Sequence, residues 1–170
     1  MANLRTEQYA GSRQGLTDLP SYISGYVDGE GCFTVSISPR PTLRVGWEVR
    51  PSLSVSQNGD RDEVLLDIQR HFGCGTLRPD RSDKTVKREV RSLPLLVDRI
   101  VPHFHAYPLR SGKSNDFELF ASVCEAMTLR RHLEPEGLSE IVQWAGAMNP
   151  SGKRGYAPES ILKSLHEMKA

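Results

Sequence analysis

A mixed α/β fold is predicted by two observations on the 170-residue chain. Apolar residues recur with a period of two in some stretches and of about 3.6 in others, and the two kinds of stretch alternate. The length suits one domain with a real core. Hydrophobic residues at 38% and charged residues at 25% are ordinary for a soluble globular protein. No apolar run approaches the roughly 18 residues that span a bilayer. Residues 1–19 are polar and do not read as a secretory signal. Cys32, Cys74 and Cys124 are far apart and form no C-x-x-C pair, which predicts buried thiols in a reducing, intracellular compartment.

In chain order, 19–29 reads as a helix with Pro20 in its first turn, where a missing N–H costs little. Phe33, Val35 and Ile37 alternate with Thr34, Ser36 and Ser38, a strand with one apolar and one polar face. Pro39 and Pro41 mark a turn. A second strand is predicted with Leu43, Val45, Trp47, Val49, Leu53 and Val55 inward. Arg44, Glu48, Arg50, Ser52, Ser54 and Ser56 then point outward, and Pro51 suggests a bulge or an edge. Asn58-Gly59 turns the chain, and Asp60 with Glu63 reads as an acidic capping box opening a helix to Phe72. Residues 76–79 and 85–91 read as a basic hairpin. Ser92 is expected to cap a helix that ends near Pro102. A longer helix after Gly112 places Phe117, Phe120, Cys124 and Met127 on one face, and amphipathic segments follow at 141–148 and 161–168.

The net charge of +1 hides an asymmetry. Between 34 and 56, Arg40, Arg44 and Arg50 stand against Glu48 alone. Between 76 and 91, Arg78, Arg81, Lys84, Lys87, Arg88 and Arg91 outnumber Asp80, Asp83 and Glu89. From 112 onward seven basic residues face eight acidic ones. Local fields, not the total, guide a polyanion.

The segment Ile23-Ser24-Gly25-Tyr26-Val27-Asp28-Gly29-Glu30-Gly31 concentrates the chemistry. Ser21, Gly25 and Gly29 fall on one helical face, and small residues there let two backbones approach closely. A carboxylate follows at once. If two such helices pack together, their copies of Glu30 meet at the ends, and like charges so close repel unless divalent cations lie between them. Metals bridging two carboxylates suit phosphodiester hydrolysis.

From Tyr22 through the Cys32-Phe33 step, this segment resembles the LAGLIDADG homing endonucleases. Downstream spacing resembles their single-motif, intron-encoded branch over most of the chain. Ser54-Val55-Ser56-Gln57 resembles the strand end whose Gln organises active-site water, and Arg61 matches a second basic contact. Leu109-Arg110-Ser111-Gly112-Lys113 resembles the loop that brings a Lys to the scissile phosphate, with Lys113 favoured and Arg110 the alternative. The basic stretch Asn149 to Arg154 resembles a loop that touches DNA backbone.

The resemblance implies an α+β fold: a four-stranded antiparallel saddle sheet backed by helices, with the motif helix at a homodimer interface. One domain would occupy 1–170, with a core at about 19–132 and C-terminal helices and a basic loop at 133–170. It further implies Glu30 and the Gly29 carbonyl as metal ligands, Glu30, Gln57, Arg61 and Lys113 as the catalytic set, and Ser21, Gly25, Asp28 and Gly29 at the interface. Double-stranded DNA would lie on Ser36, Ser38, Arg40, Arg44, Glu48, Arg50, Ser54, Arg78, Arg81 and Lys87, with Lys153 and Arg154 on its backbone. Arg reads guanine bidentately, Glu accepts from cytosine, and phosphate contacts set position only. Mg²⁺, with Mn²⁺ able to substitute, a long pseudo-palindromic site, short 3′ overhangs and intron mobility complete the expectation.

Blander readings are weaker. An EF-hand starting at Asp28 needs an acid where Pro39 stands. His103-Phe104-His105 has no acidic or Cys partner nearby and reads as a loop with one buried ring. Glu134-Pro135-Glu136-Gly137 echoes the motif but lacks the small-residue helix before it. The rivals in function are an RNA maturase binding intron RNA and a DNA-binding regulator without catalysis. The compartment stays open among chloroplast, mitochondrion and bacterial cytoplasm.

Overall fold

The computed structural model describes residues 18–80, 84–149, 152 and 155–168, and the expected contacts Arg81, Lys153 and Arg154 lie outside them. Helix α1 (Leu19–Glu30) starts at Asp18, whose carboxylate accepts from the Ser21 N–H at 3.4 Å. Pro20 sits in the first turn, and Ile23, Ser24 and Val27 form the buried face. The chain then enters β1 (Gly31–Pro39), which pairs antiparallel with β2 (Trp47–Asn58) in the register Phe33↔Leu53 and Val35↔Pro51. The hairpin β3 (Thr76–Asp80) and β4 (Thr85–Val90) completes a four-stranded antiparallel sheet of order β1-β2-β4-β3. Pairing of β4 to β2 begins at Leu53, so Pro51 stands where β2 has one neighbour only, the expected edge position.

Phe33 centres the core between the sheet and the helices. Its ring lies 5.2–5.4 Å from those of Phe104, Phe117 and Phe120. Helix α2 (Glu63–Phe72) contributes Leu65, Ile68 and Phe72 and ends at Gly73, whose φ of 60° suits glycine. Helix α5 (Lys113–Thr128) buries Phe117, Phe120, Cys124 and Met127 as expected. Helices α6 (Pro135–Ala147) and α7 (Pro158–Glu167) build a second cluster against Val45 and Val49 through Leu138, Ile141, Ile161 and Leu165. Cys74 and Cys124 are buried free thiols and Cys32 is half-buried.

Several expectations are corrected. The second strand starts at Trp47, not at Leu43. Arg40 N donates to the Gly46 carbonyl at 2.7 Å and Gly46 takes a φ of 72°, so 40–46 is a turn. Arg44 is therefore off the sheet and pairs with Glu134 at 3.4 Å. Asp62, not Asp60, occupies the N-cap of α2. The helix after Ser92 passes through Pro102: α3 (Leu93–Leu95) widens into a π-helical turn, Leu96–Ile100, and continues as α4 (Val101–Ala106). The wide turn removes the need for the N–H that proline lacks. His103 and His105 thus stand on a helix rather than a loop, with His103 buried. Arg88 points into the core, fully buried, and adds nothing to the basic surface. Its guanidinium donates to the Cys74 carbonyl and lies 5.4 Å over the Phe72 ring.

Candidate active site at the end of the motif helix

Helix α1 ends where Gly31 turns extended, with its N–H on the Val27 carbonyl. A Cβ on Gly31 would sit 2.7 Å from that carbonyl oxygen, so only glycine lets the chain leave the helix and enter β1 here. Glu30 is left exposed at the junction.

Three groups converge on this end. Asp28 is tied to its own chain. Its carboxylate accepts from the Arg110 and Ser111 N–H groups, each at 2.9 Å, and from the Ser111 hydroxyl at 2.5 Å. These bonds hold the Asp28 carboxyl below the usual carboxylate range, although partial burial, the largest single influence, opposes them. The anchored loop starts α5 at Lys113. The Lys113 ammonium donates to the Val27 carbonyl at 3.0 Å and to the Gly31 carbonyl at 2.5 Å. A cation at a helix C-terminus is favoured by the helix dipole, and with two of its three N–H donors used a third remains. Lys113 is thus bonded to the end of the helix that carries Glu30, while the Arg110 side chain is exposed.

Gln57 closes the site from β2. Its Nε2 donates to the Tyr26 hydroxyl at 2.5 Å and its Oε1 accepts from the Asn58 N–H at 2.7 Å. Burial raises the Tyr26 phenol above its ordinary value; the Gln57 bond opposes this and the charge of Glu30 reinforces it. Arg61 lies exposed in the turn before α2, and among the described residues no contact joins it to Glu30, Gln57 or Lys113.

A hard divalent cation asks for oxygen donors. An exposed carboxylate beside the last carbonyls of a helix suits one. Among the described residues no three His, Cys, Asp or Glu gather. The outer stripe of α1 is open. Ser21, Tyr22, Gly25 and Gly29 are exposed, and a Cβ on Gly25 or Gly29 would meet nothing within 4 Å.

The polar sheet face carries Ser36, Ser38, Arg50, Arg78 and Lys87 beside a groove of about 780 Å³. Ser54 lies on the same sheet face, only 7% exposed, with Cys32 and Glu89 flanking it in register. Glu48 is already engaged, by Arg50 at 2.5 Å and by Arg40. Its carboxyl is held below the ordinary range by these two partners against a larger desolvation influence. It braces two guanidinium groups rather than standing free for cytosine. Sequence reasoning missed the role of Tyr26 and the network on the inner face of α1, and it named Asn149 only as the start of a basic loop. Asn149 ties the chain after α6 to β1 through a 2.7 Å bond to the Phe33 carbonyl. Its own N–H donates to Asp116 at 3.1 Å.

Known proteins resemble this chain in sequence and fold. A family model described as LAGLIDADG endonuclease matches residues 23–124. The homing endonuclease I-ApeII of Aeropyrum pernix is 29% identical over 153 residues, which cover 86% of this chain and 90% of that protein. The crystal structure of a homing endonuclease, I-TnaI, superposes with a TM-score of 0.75 at 32% identity, covering 88% of this chain and 97% of that one. I-LtrWI, solved bound to target DNA, gives 0.75 at 33% identity over 77% of this chain and 44% of that one. Probable intron-encoded endonuclease 2 of Neurospora crassa is 32% identical over 76% of this chain, and the chain spans only 29% of its length. With its α+β architecture, its motif helix and the match over 23–124, the chain belongs to the LAGLIDADG endonuclease family.

Proposed function

We propose that the protein is a site-specific endonuclease of double-stranded DNA that works as a homodimer and promotes intron mobility. The observation that carries this reading is the exposed Glu30 beside Lys113, at the end of a helix whose outer stripe is open. Two copies of α1 packed along Ser21, Gly25 and Gly29 bring two half-sites together, and two-fold symmetry asks for a long, nearly palindromic target. Glu30 and the Gly29 carbonyl of each chain would hold Mg²⁺, or Mn²⁺ in its place. A bound divalent cation supplies Lewis-acid polarisation of a phosphoryl oxygen and makes water nucleophilic at neutral pH.

The chain's own groups do the rest. Gln57, fixed at both ends of its amide, keeps one N–H and one lone pair to orient a water. The third N–H of Lys113 is available to the charge that develops on the scissile phosphate. Arg61 serves as a further positive charge at the rim. Ser36, Ser38, Arg40, Arg50, Arg78 and Lys87 read or hold the duplex, with Arg44, Ser54 and Glu48 in supporting places. Arg81, Lys153 and Arg154 would contact backbone. Cleavage on both strands leaves short 3′ overhangs.

The test is purified protein with Mg²⁺ on a randomised duplex library and on intron-insertion junctions, beside Glu30→Gln. We expect wild type to cut and the variant to bind without cutting. Tight binding of intron RNA with no DNA cleavage would overturn the reading in favour of a maturase.

A further inference from the structure

We propose that Tyr26 is a positioning residue for the hydrolysis: its phenol oxygen accepts from Gln57 Nε2 and so holds the Gln57 amide still beside the attacking water. This deepens the nuclease reading and rests on it.

The amide orientation follows from donor identity. A backbone N–H can only donate, so the Gln57 atom 2.7 Å from Asn58 N must be the oxygen. The amide nitrogen then faces Tyr26, 2.5 Å from its hydroxyl, and the phenol must accept. The Asn58 N–H, which can only donate, sets which end of the amide is which. The Tyr26 oxygen ties down the other end, so the amide cannot swing about a single bond. The phenol keeps its own proton, held on by burial and by the charge of Glu30. That proton is free to point toward Glu30, four residues on along the same face of α1. One helix therefore carries the acid and the group that sets Gln57, which otherwise hangs from the end of a different element, β2.

The experiment compares four full-length proteins: wild type, Tyr26→Phe, Gln57→Ala and the double variant. The substrate is a duplex recovered from the randomised library with wild type, and single-turnover cleavage is followed in Mg²⁺. Duplex Kd without metal, sedimentation mass and Tm are measured beside it. Tyr26→Phe is expected to slow cleavage about 10–100-fold, the usual consequence of releasing a group that orients an active-site ligand. Kd, mass and Tm should stay as in wild type. In the Gln57→Ala background the same substitution should cost nothing further, since the two act as one unit. An independent readout needs no metal or DNA: the side-chain amide resonances of Gln57 should shift in Tyr26→Phe.

Equal slowing in both backgrounds would make Tyr26 a packing residue and overturn the proposal, as would an unchanged Gln57 amide signal. A wild type that cuts no duplex would remove the nuclease reading itself. A wild type that cuts, with Tyr26→Phe cutting at the same rate, would remove only the positioning role.

Discussion

On the inner face of α1, Ile23, Ser24 and Val27 are buried, and every polar group that can be followed there finds a partner within the chain. On the outer face, Ser21, Tyr22, Gly25 and Gly29 are exposed, and both glycines look onto open space. The contrast falls within twelve residues of one helix. It separates two requirements that a sequence motif merges. The inner face makes the helix part of a stable chain, while in the proposed homodimer the outer face and the Glu30 beyond it would be completed by a second copy. Changes on the inner face should therefore be read in stability, and changes on the outer face in cutting.

The largest effect is expected from Gly25→Leu. The substituted side chain meets no atom of its own chain, and leucine favours a helix over glycine by up to about 1 kcal/mol, so the single chain should keep its fold, read as an unchanged circular dichroism spectrum. It would nonetheless hold two helices apart. Sedimentation should show monomer, and cleavage should be lost with Glu30, Gln57 and Lys113 all in place. A Gly25→Leu protein that cuts as wild type would break the link between dimerisation and catalysis.

Gly31→Ala should behave in the opposite way. Its Cβ would lie 2.5 Å from Val27 Cγ1 and 2.7 Å from the Val27 carbonyl oxygen, and the latter is backbone that cannot swing aside. Overpacking of this kind costs about 1–3 kcal/mol, which denaturant unfolding would detect. Because Lys113 bonds the carbonyls of Val27 and Gly31, cleavage should fall as well. An alanine variant with unchanged midpoint would mean that the junction is softer than its geometry implies.

How much of this was legible in the sequence depends on whether period and burial agree. Phe33, Val35 and Ile37 announce β1 because a half-buried strand needs alternation. The same alternation misleads at Val45, which is 1% exposed inside a turn: burial repeats every two residues there without a ladder. Arg88 misleads in the reverse sense. It takes an inward position on β4, where charge is costly, and two of its nitrogens lack a protein partner. The period of two that turns Val86 and Val90 inward turns Arg88 inward with them, and only its charge argues otherwise. Glu30, Gln57 and Lys113 were found through a resemblance, and the structure adds what motifs omit, namely which backbone groups hold each of them. Tyr26 drew no role of its own from the sequence, although its spacing of four from Glu30 is a usable signal.

The inner face yields the smallest and most specific expectation. The Ser24 hydroxyl donates to the Tyr107 carbonyl at 2.7 Å, so it can only accept from His103 Nε2 at 3.2 Å. His103 therefore carries its proton on Nε2, and its Nδ1 accepts from His71 Nε2 at 3.1 Å. A second proton on His103 would collide with that donor. Burial, then His71, push the His103 pKa down to about 4, with Asp18 opposing weakly. In the unfolded chain the ring titrates near about 6.5. As pH falls from there toward 4 the unfolded state takes up the proton first, so stability is full above this window and is lost through it. Tm measured from pH 7.5 to pH 4.5 should fall more steeply for wild type than for His103→Gln, which keeps polar groups for Ser24 and His71 but does not titrate. Parallel profiles would show that the inner face is indifferent to protons. The ends of the helix, rather than its two sides, would then have to account for any acid sensitivity of the protein.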